Sequence, residues 1–277
     1  NRHFMGYHRA DGKVGTANYW LVVPMVFCEN RNLTVMEEAL VKNLGYGRND
    51  SYKQEADQLI ALYRAGKTTE EILNADLEKG MHSSAPDRIF QFVDGIKFLQ
   101  HDGGCGGTRE DAEALCALLA GYITHSNVAG ATILSLGCQH AQVAMLEEAI
   151  HRISPAFNKP LYILEQQKVG METDLMTLAI RQTFAGLIQA NECRRTPAPL
   201  SKLCIGMECG GSDGFSGISA NPAIGYTADL IVGLGGSVIL SEFPELCGVE
   251  QELSDRCTTT ETANRFTSLM TTYNDRA

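Results

Sequence analysis

The sequence predicts an α/β protein whose mostly parallel, Rossmann-like sheet is built from about six strand–helix units. Three observations carry this. Short apolar runs alternate with helical patterns of about 12 residues or more. Gly-containing turns separate most of the runs from the helix that follows. The side chains capable of chemistry collect after the apolar runs rather than before them, and open parallel sheets build their sites beyond the carboxyl ends of strands.

Residues 6–18 (GYHRADGKVGTAN) are polar and Gly-punctuated, and read as two turns. They feed residues 19–27 (YWLVVPMVF), a continuous apolar run that predicts a buried strand even though Pro24 lacks a ladder donor. Thr34 is expected to cap a helix over 35–43. The texture then turns polar, and residues 45–92 read as a helical excursion on the outside of the core, with helices over 54–65 and 68–79 and a capping box at Thr68-Thr69-Glu70-Glu71.

A regular rhythm follows. Strands are predicted at 93–99, 131–136, 160–164, 203–207 and 237–240. The helices between and after them are predicted from Thr108 to about 123, to about 152, over 174–192, over 221–233, and on toward Met270. The whole of 1–277 reads as one α/β domain.

Composition narrows the classes of function. A chain of 277 residues with 44% hydrophobic and 20% charged side chains can bury a full core. The net charge is -10 and no basic stripe is present, which argues against nucleic acid as a partner while leaving room for a small anionic substrate in a locally positive pocket. No apolar run is long enough for a membrane span. Nine cysteines, an odd number without a signal peptide, point to reduced thiols in a cytoplasmic protein.

The strand-end residues form two constellations. His101-x-x-x-Cys105 lies in a loop with four glycines, and Cys138 and Cys209 each follow a strand in a Gly-containing turn. Imidazole and thiolates converging from strand ends can hold a borderline metal such as iron. An iron–sulfur cluster is disfavoured by the lack of a compact C-x-x-C run. Cys116 and Cys204, mid-helix and mid-strand, read as core filler. Glu242 stands at a strand end and reads as functional, whereas Glu250 suits a helix N-terminus. No G-x-G-x-x-G or G-x-x-x-x-G-K-[ST] occurs in a strand-to-helix context, so dinucleotide or nucleotide binding is not indicated.

The densest stretch is Glu208-Cys209-Gly210-Gly211-Ser212-Asp213-Gly214-x-Ser216-Gly217-x-x-Ala220-Asn221-Pro222. Together with Gly6-Tyr7-x-Arg9-x-Asp11-Gly12-x-x-Gly15-Thr16-x-Asn18-Tyr19, His101-x-x-Gly104-Cys105-Gly106, Gly137-Cys138 and Ser241-Glu242-x-x-Glu245-x-x-Gly248-x-Glu250, it resembles the altronate/galactarate dehydratase family. The likeness covers essentially the whole chain. It implies a sugar-acid hydro-lyase of hexuronate degradation, typically stimulated by Fe2+, with Mn2+ as the alternative metal. The implied reaction removes water from D-altronate to give 2-keto-3-deoxy-D-gluconate; galactarate dehydration, sulfite loss from sulfolactate, or a non-catalytic anion-binding module are the alternatives. His101, Cys105, Cys138 and Cys209 are then expected around the metal. Arg9, Asn18, Gly210, Gly211, Ser212, Ser216 and Asn221 are expected to hold the substrate, and His101, Asp213 or Glu242 to move protons. Two departures accompany the likeness: Ala17 stands where the family usually carries Arg, and family chains are normally longer, so 1–277 is expected to be a fragment of a longer chain, without the N-terminal β-rich domain that members often carry and a C-terminal segment. A homo-oligomer is a further expectation.

Overall fold

Four of the predicted apolar runs become parallel neighbours in one sheet. The computed structural model describes residues 2–47, 51–77, 87–211 and 213–277. The chain packs as two compact units, Met5–Thr196 and Asn1–Phe4 with Pro197–Ala277, where the sequence reading takes one domain.

In the larger unit the elements run β1 (His3–His8, which straddles the boundary in sequence), β2 (Val14–Gly15), β3 (Tyr19–Pro24), α1 (Asn30–Leu40), α2 (Ser51–Arg64), α3 (Thr69–Leu73), β4 (Gly95–Phe98), α4 (Arg109–Thr124), β5 (Val128–Ser135), α5 (Val143–Ile153), β6 (Leu161–Glu165), α6 (Gln166–Val169) and α7 (Glu172–Ala190). The sheet order is β4-β3-β5-β6, all parallel, with Trp20 opposite Ile96 on one side and Gly130 on the other. Both faces are covered, as parallel sheets require. One core joins Trp20, Val22, Leu134 and Leu164 to Leu33 and Met36 of α1 and Leu175 and Leu187 of α7. The other joins Leu21, Val23, Ala131 and Ile133 to Cys116, Leu119 and Ile123 of α4 and Leu146 and Ile150 of α5. Cys116 is core, as expected, and burial lifts its thiol to about 11.

Three expectations need correction. Residues 3–8 form a strand paired antiparallel with β2, and both run into the stretch 6–18 read as two turns; alternation over His3-Phe4-Met5-Gly6 is too weak to announce it. Helix α1 begins at Asn30, and Thr34 lies inside it, returning its hydroxyl to Asn30 O at 3.1 Å rather than capping. The Thr68 capping box is present, but α3 ends at Leu73, and the remainder of the predicted helix falls partly outside the described residues.

The amino edge of this sheet is tied by Arg9 and Asn18. Arg9 donates to Ser126 O (2.8 Å), Ala17 O (3.3 Å) and Asn18 Oδ1 (2.9 Å). Asn18 is fully buried and donates to Phe92 O and Ala190 O. Lys159 sits in the same region and donates to His125 O (2.6 Å) and Ile123 O (3.3 Å), the carbonyl end of α4. Burial, then Arg9 and Lys13, push its ammonium down to about 7, with Asp11 opposing them. Between about 7 and the ordinary lysine value near 10 the unfolded chain therefore carries a proton the folded chain lacks, and stability rises with pH across that window. Replacing Lys159 with Met is expected to flatten this rise in denaturant midpoints measured from pH 7 to 10; an unchanged slope would assign it elsewhere.

The smaller unit holds β7 (Thr196–Pro199), which straddles the boundary in sequence, then β8 (Cys204–Met207), α8 (Gly214–Ile218), α9 (Ala220–Gly233), β9 (Ser237–Leu240), α10 (Glu250–Asp255) and α11 (Thr260–Arg276). Strands β8 and β9 pair in parallel, Ile205 opposite Val238, with α8 and α9 as the crossover. The two last predicted strands thus form a separate two-stranded sheet. The single helix predicted toward Met270 is broken at 256–259, where Thr259 caps α11 through Thr262 N. Cys204, expected as core, is exposed, because this small layer buries little: Leu230 and Val232 of α9 are also exposed. Among the described residues, no helix is long and apolar enough to cross a membrane.

Candidate functional site

The carboxyl edge of the four-stranded sheet is knotted at Gly104. Its φ of +99° is a backbone conformation that glycine adopts at little cost. A Cβ there would collide with Met25 O and Val26 Cα, so the loop after β4 lies directly on the end of β3. Phe27 N donates to Gly103 O (3.0 Å), and His140 N and Ala141 N both donate to Gly104 O (3.0 and 3.2 Å). Three loops, after β3, β4 and β5, are thereby joined. Cys28, Cys105 and Cys138 stand exposed on them, one on each. An open cleft of about 280 Å³ lies beside Gly104, Cys105, Thr108, Leu115 and His140.

His101 has both ring nitrogens engaged. Gly103 N donates to Nδ1 (3.1 Å), so Nδ1 carries the lone pair and Nε2–H is left to donate to Pro24 O (2.7 Å). The ring pins the β4 loop to the end of β3, and ligating a metal or abstracting a proton requires breaking one of these bonds.

Two residues at this edge escape sequence reasoning. Gln139 is buried and accepts from Gly137 N (2.6 Å) while donating to Ser135 Oγ (2.6 Å) and Ala141 O (3.2 Å), with Gln142 Nε2 closing on its carbonyl. It fixes the turn that presents Cys138 and His140. Glu29, only 1% exposed, follows β3. A Gln or Glu in a loop carries no pattern; only its burial distinguishes it.

In the smaller unit the corresponding edge carries Glu208 and Cys209 after β8 and Glu242 and Glu245 after β9. Asp213 is the N-cap of α8: Oδ1 accepts from Phe215 N (3.0 Å) and Ser216 N (2.9 Å), and Oδ2 from Ser216 Oγ (2.6 Å). The Ser216 hydroxyl and these amides hold its carboxyl below the usual range, which makes it a poor proton acceptor. Asn221 Nδ2 approaches Cys209 Sγ at 3.5 Å, joining two of the predicted residues. Glu242 is the one non-glycine with positive φ among the described residues (φ 57°, ψ 63°). Glu245 first, then desolvation and Glu208, raise its carboxyl above the ordinary value. Glu250 instead accepts from Gly248 N at 2.9 Å at the start of α10, in keeping with a helix-terminal acid.

His101, Cys105 and Cys138 therefore share one edge in the larger unit, while Arg9 and Asn18 lie at the opposite end of the same strands, their polar atoms held by backbone carbonyls and by each other. Cys209, Gly210, Gly211, Asp213, Ser216, Asn221 and Glu242 belong to the smaller unit, and Ser212 lies outside the described residues. Within neither unit, among the described residues, do three His, Cys, Asp or Glu side chains gather as a metal site. With His101 already engaged at both nitrogens, the described side chains of either unit do not by themselves fit an iron centre.

Residues 6–191 match the family described as D-galactarate dehydratase/Altronate hydrolase, second domain, and residues 200–277 match D-galactarate/Altronate dehydratase, C-terminal. The division falls where the two units part. The chain is 29% identical over 273 residues to the altronate dehydratase of Bacillus subtilis (strain 168), covering 99% of this chain and 45% of that protein. It is 30% identical over 275 residues to the altronate dehydratase of Escherichia coli (strain K12), again covering 99% and 45%. It is 33% identical over 149 residues to the galactarate dehydratase (L-threo-forming) of Escherichia coli (strain K12), covering 52% of this chain and 28% of that one. The chain thus spans about half the length of the altronate dehydratases it matches. Matched across both units, it belongs to the D-galactarate dehydratase/altronate hydrolase family.

Proposed function

We propose that the chain carries reacting groups of a sugar-acid dehydratase that removes water from D-altronate to give 2-keto-3-deoxy-D-gluconate. The observation that carries this reading is Glu242. A non-glycine residue in the left-handed region costs about 1–3 kcal/mol and persists where the surroundings require it, most often at functional sites. Glu242 is held in that region at a parallel-strand end, with its proton affinity raised by Glu245 and Glu208 and with Cys209 following the neighbouring strand.

In the elimination, the proton on the carbon α to the substrate carboxylate passes to a base. The C3–O bond then breaks as the hydroxyl takes that proton back from the base and leaves as water, and the resulting enol becomes the 2-keto acid by moving its hydroxyl proton to C3. Glu242 is the base in this reading, since a carboxylate with raised proton affinity both accepts the proton and can return it. Asp213 is held ionised and shapes the loop instead. Gly210, where an added Cβ would meet nothing within 4 Å, leaves the backbone approachable by the substrate carboxylate, with Cys209 and Asn221 beside it. Dependence on Fe2+, or Mn2+ in its place, belongs to the reading through the family resemblance alone, and no step here uses it.

The test is an anaerobic assay of the intact protein with D-altronate, galactarate and sulfolactate, with and without Fe2+ or Mn2+, following the 2-keto-3-deoxy product. Turnover of altronate is expected. Glu242→Asn, which tolerates left-handed backbone, is expected to keep its melting temperature while kcat falls about 100-fold or more. No product from any substrate sinks the dehydratase reading; normal turnover in Glu242→Asn sinks the assignment of the base.

A further inference from the structure

Helix α4 is apolar on both of its long faces. From Ala114 to Thr124 it carries no charged residue, and Thr124 turns its hydroxyl back onto Ala120 O at 2.8 Å. Cys116, Leu119, Ala120 and Ile123 face the sheet and are buried. At 3.6 residues per turn, Ala114, Leu118, Gly121 and Tyr122 fall on the opposite pole. All four are exposed, Leu118 at 58% and Tyr122 at 49%. A surface helix turns its polar residues outward, and a helix apolar all round is normally covered on every side. Its neighbour in the same layer, α5, follows the ordinary rule, with Glu147, Glu148, His151 and Arg152 outward.

Gly121 supplies an independent observation. Glycine inside a helix is destabilising relative to alanine, yet an added Cβ here would meet nothing within 4 Å. Nothing in the packing of its own unit requires the missing side chain, whereas a second helix backbone approaching this pole would.

The pole is self-complementary. Leu118 lies midway between Ala114 and Tyr122, so a second α4 laid antiparallel about a two-fold axis at Leu118 sets each Ala114 against the other copy's Tyr122. Small then receives large on both sides of the axis. The charges agree with the same arrangement. Glu110 and Asp111 stand in the first turn of α4, where Arg109 is paired with Glu113 at 2.8 Å. At the far end of the helix Lys159 Nζ rests on His125 O (2.6 Å) and Ile123 O (3.3 Å), with Arg9, Lys13 and Asp11 acting on it. The antiparallel pairing brings the acidic turn of each copy to the basic end of the other. A carboxylate arriving beside Lys159 favours its charged form.

We propose that the outer face of α4 is a self-association surface, on which a second copy of this chain packs its own α4 antiparallel about a two-fold axis at Leu118. The surface lies on the side of the sheet away from α1 and α7, and it does not depend on the dehydratase reading. One helix pair with its flanking charges covers less than the roughly 1,600 Å² of a standard interface, so a reversible dimer is expected, with a Kd on the order of 10 μM.

Sedimentation equilibrium of the intact protein from about 1 to about 500 μM tests it. The wild type is expected to pass from monomer to dimer across that range. Leu118→Glu sets two carboxylates face to face at the axis and is expected to weaken the dimer by about 100-fold or more. Its melting temperature in dilute solution is expected to stay unchanged, because the position is exposed. Glu110→Lys is expected to weaken association by about tenfold at low salt, and adding Lys13→Glu reverses both sides of the contact and restores it. A wild type still monomeric at about 500 μM overturns the proposal and leaves the face to another partner. A dimer that Leu118→Glu leaves intact also overturns it, since association then uses a different surface. A loss in Glu110→Lys that Lys13→Glu fails to restore removes the antiparallel pairing.

Discussion

Gly104→Ala is expected to destabilise the larger unit by about 4 kcal/mol, through left-handed strain of about 1–2 and overpacking of about 1–3 kcal/mol. The packing contribution is large because the colliding atoms are backbone. Met25 O and Val26 Cα cannot rotate away, and their strand end is itself held by Met25 N donating to Leu134 O at 2.8 Å and Phe27 N to Gly103 O at 3.0 Å. Moving the loop instead breaks the two bonds that His140 N and Ala141 N make to Gly104 O. Gly106→Ala is the control. Its φ of +77° gives a similar conformational strain, but an added Cβ meets nothing within 4 Å, so about 1 kcal/mol is expected. For a unit of this size the difference corresponds to roughly 6–12 °C in melting temperature. If the two variants melt together, the loop is not seated on β3 as described. Thiol reactivity at Cys105 and Cys138 should rise in Gly104→Ala alone, because only that change separates the loops that carry them.

The architecture was legible because periodicity reports burial. The run beginning at Tyr19 is apolar without alternation because both faces of β3 are covered, and the six predicted strands all appear. Partition was not legible. The β8–β9 pair has the same local pattern as the pairs of the larger sheet, and nothing in a strand's own residues says which neighbour it takes. The candidate residues were legible as belonging to strand ends and not as roles. Arg9 and Asn18 occur in a motif beside functional-looking residues, yet motif membership does not distinguish a group that meets a ligand from one that ties Ser126 O and Ala190 O. Asp213, one of three candidate proton carriers in the sequence, is the N-cap of α8, a use that Asp followed by Gly-Phe-Ser permits equally well. Glu29 and Gln139 carried no signal, since the fold alone makes a carboxyl or an amide buried.

Trp20→Ala is expected to cost the larger unit about 4 kcal/mol, within the range for deleting a buried aromatic. Trp20 is fully buried, and its Nε1 donates to Thr132 Oγ1 at 3.1 Å, which in turn meets Thr183 Oγ1 at 2.7 Å on α7. The indole lies against two glycines, Gly130 of β5 and Gly186 of α7, and a Cβ on either would overlap the ring. Gly186 is informative because propensity and packing oppose each other there. In a helix interior Ala is favoured over Gly by about 1 kcal/mol, so Gly186→Ala would stabilise an unpacked helix. Here overlap with the indole should reverse the sign and give a net loss of about 1–2 kcal/mol. The cycle of Trp20→Phe, Gly186→Ala and the double variant decides it. Phe leaves room for the new methyl, so the double variant should be more stable than the sum of the single effects allows, by about 1 kcal/mol or more. Strict additivity would mean that α7 is not docked on the indole.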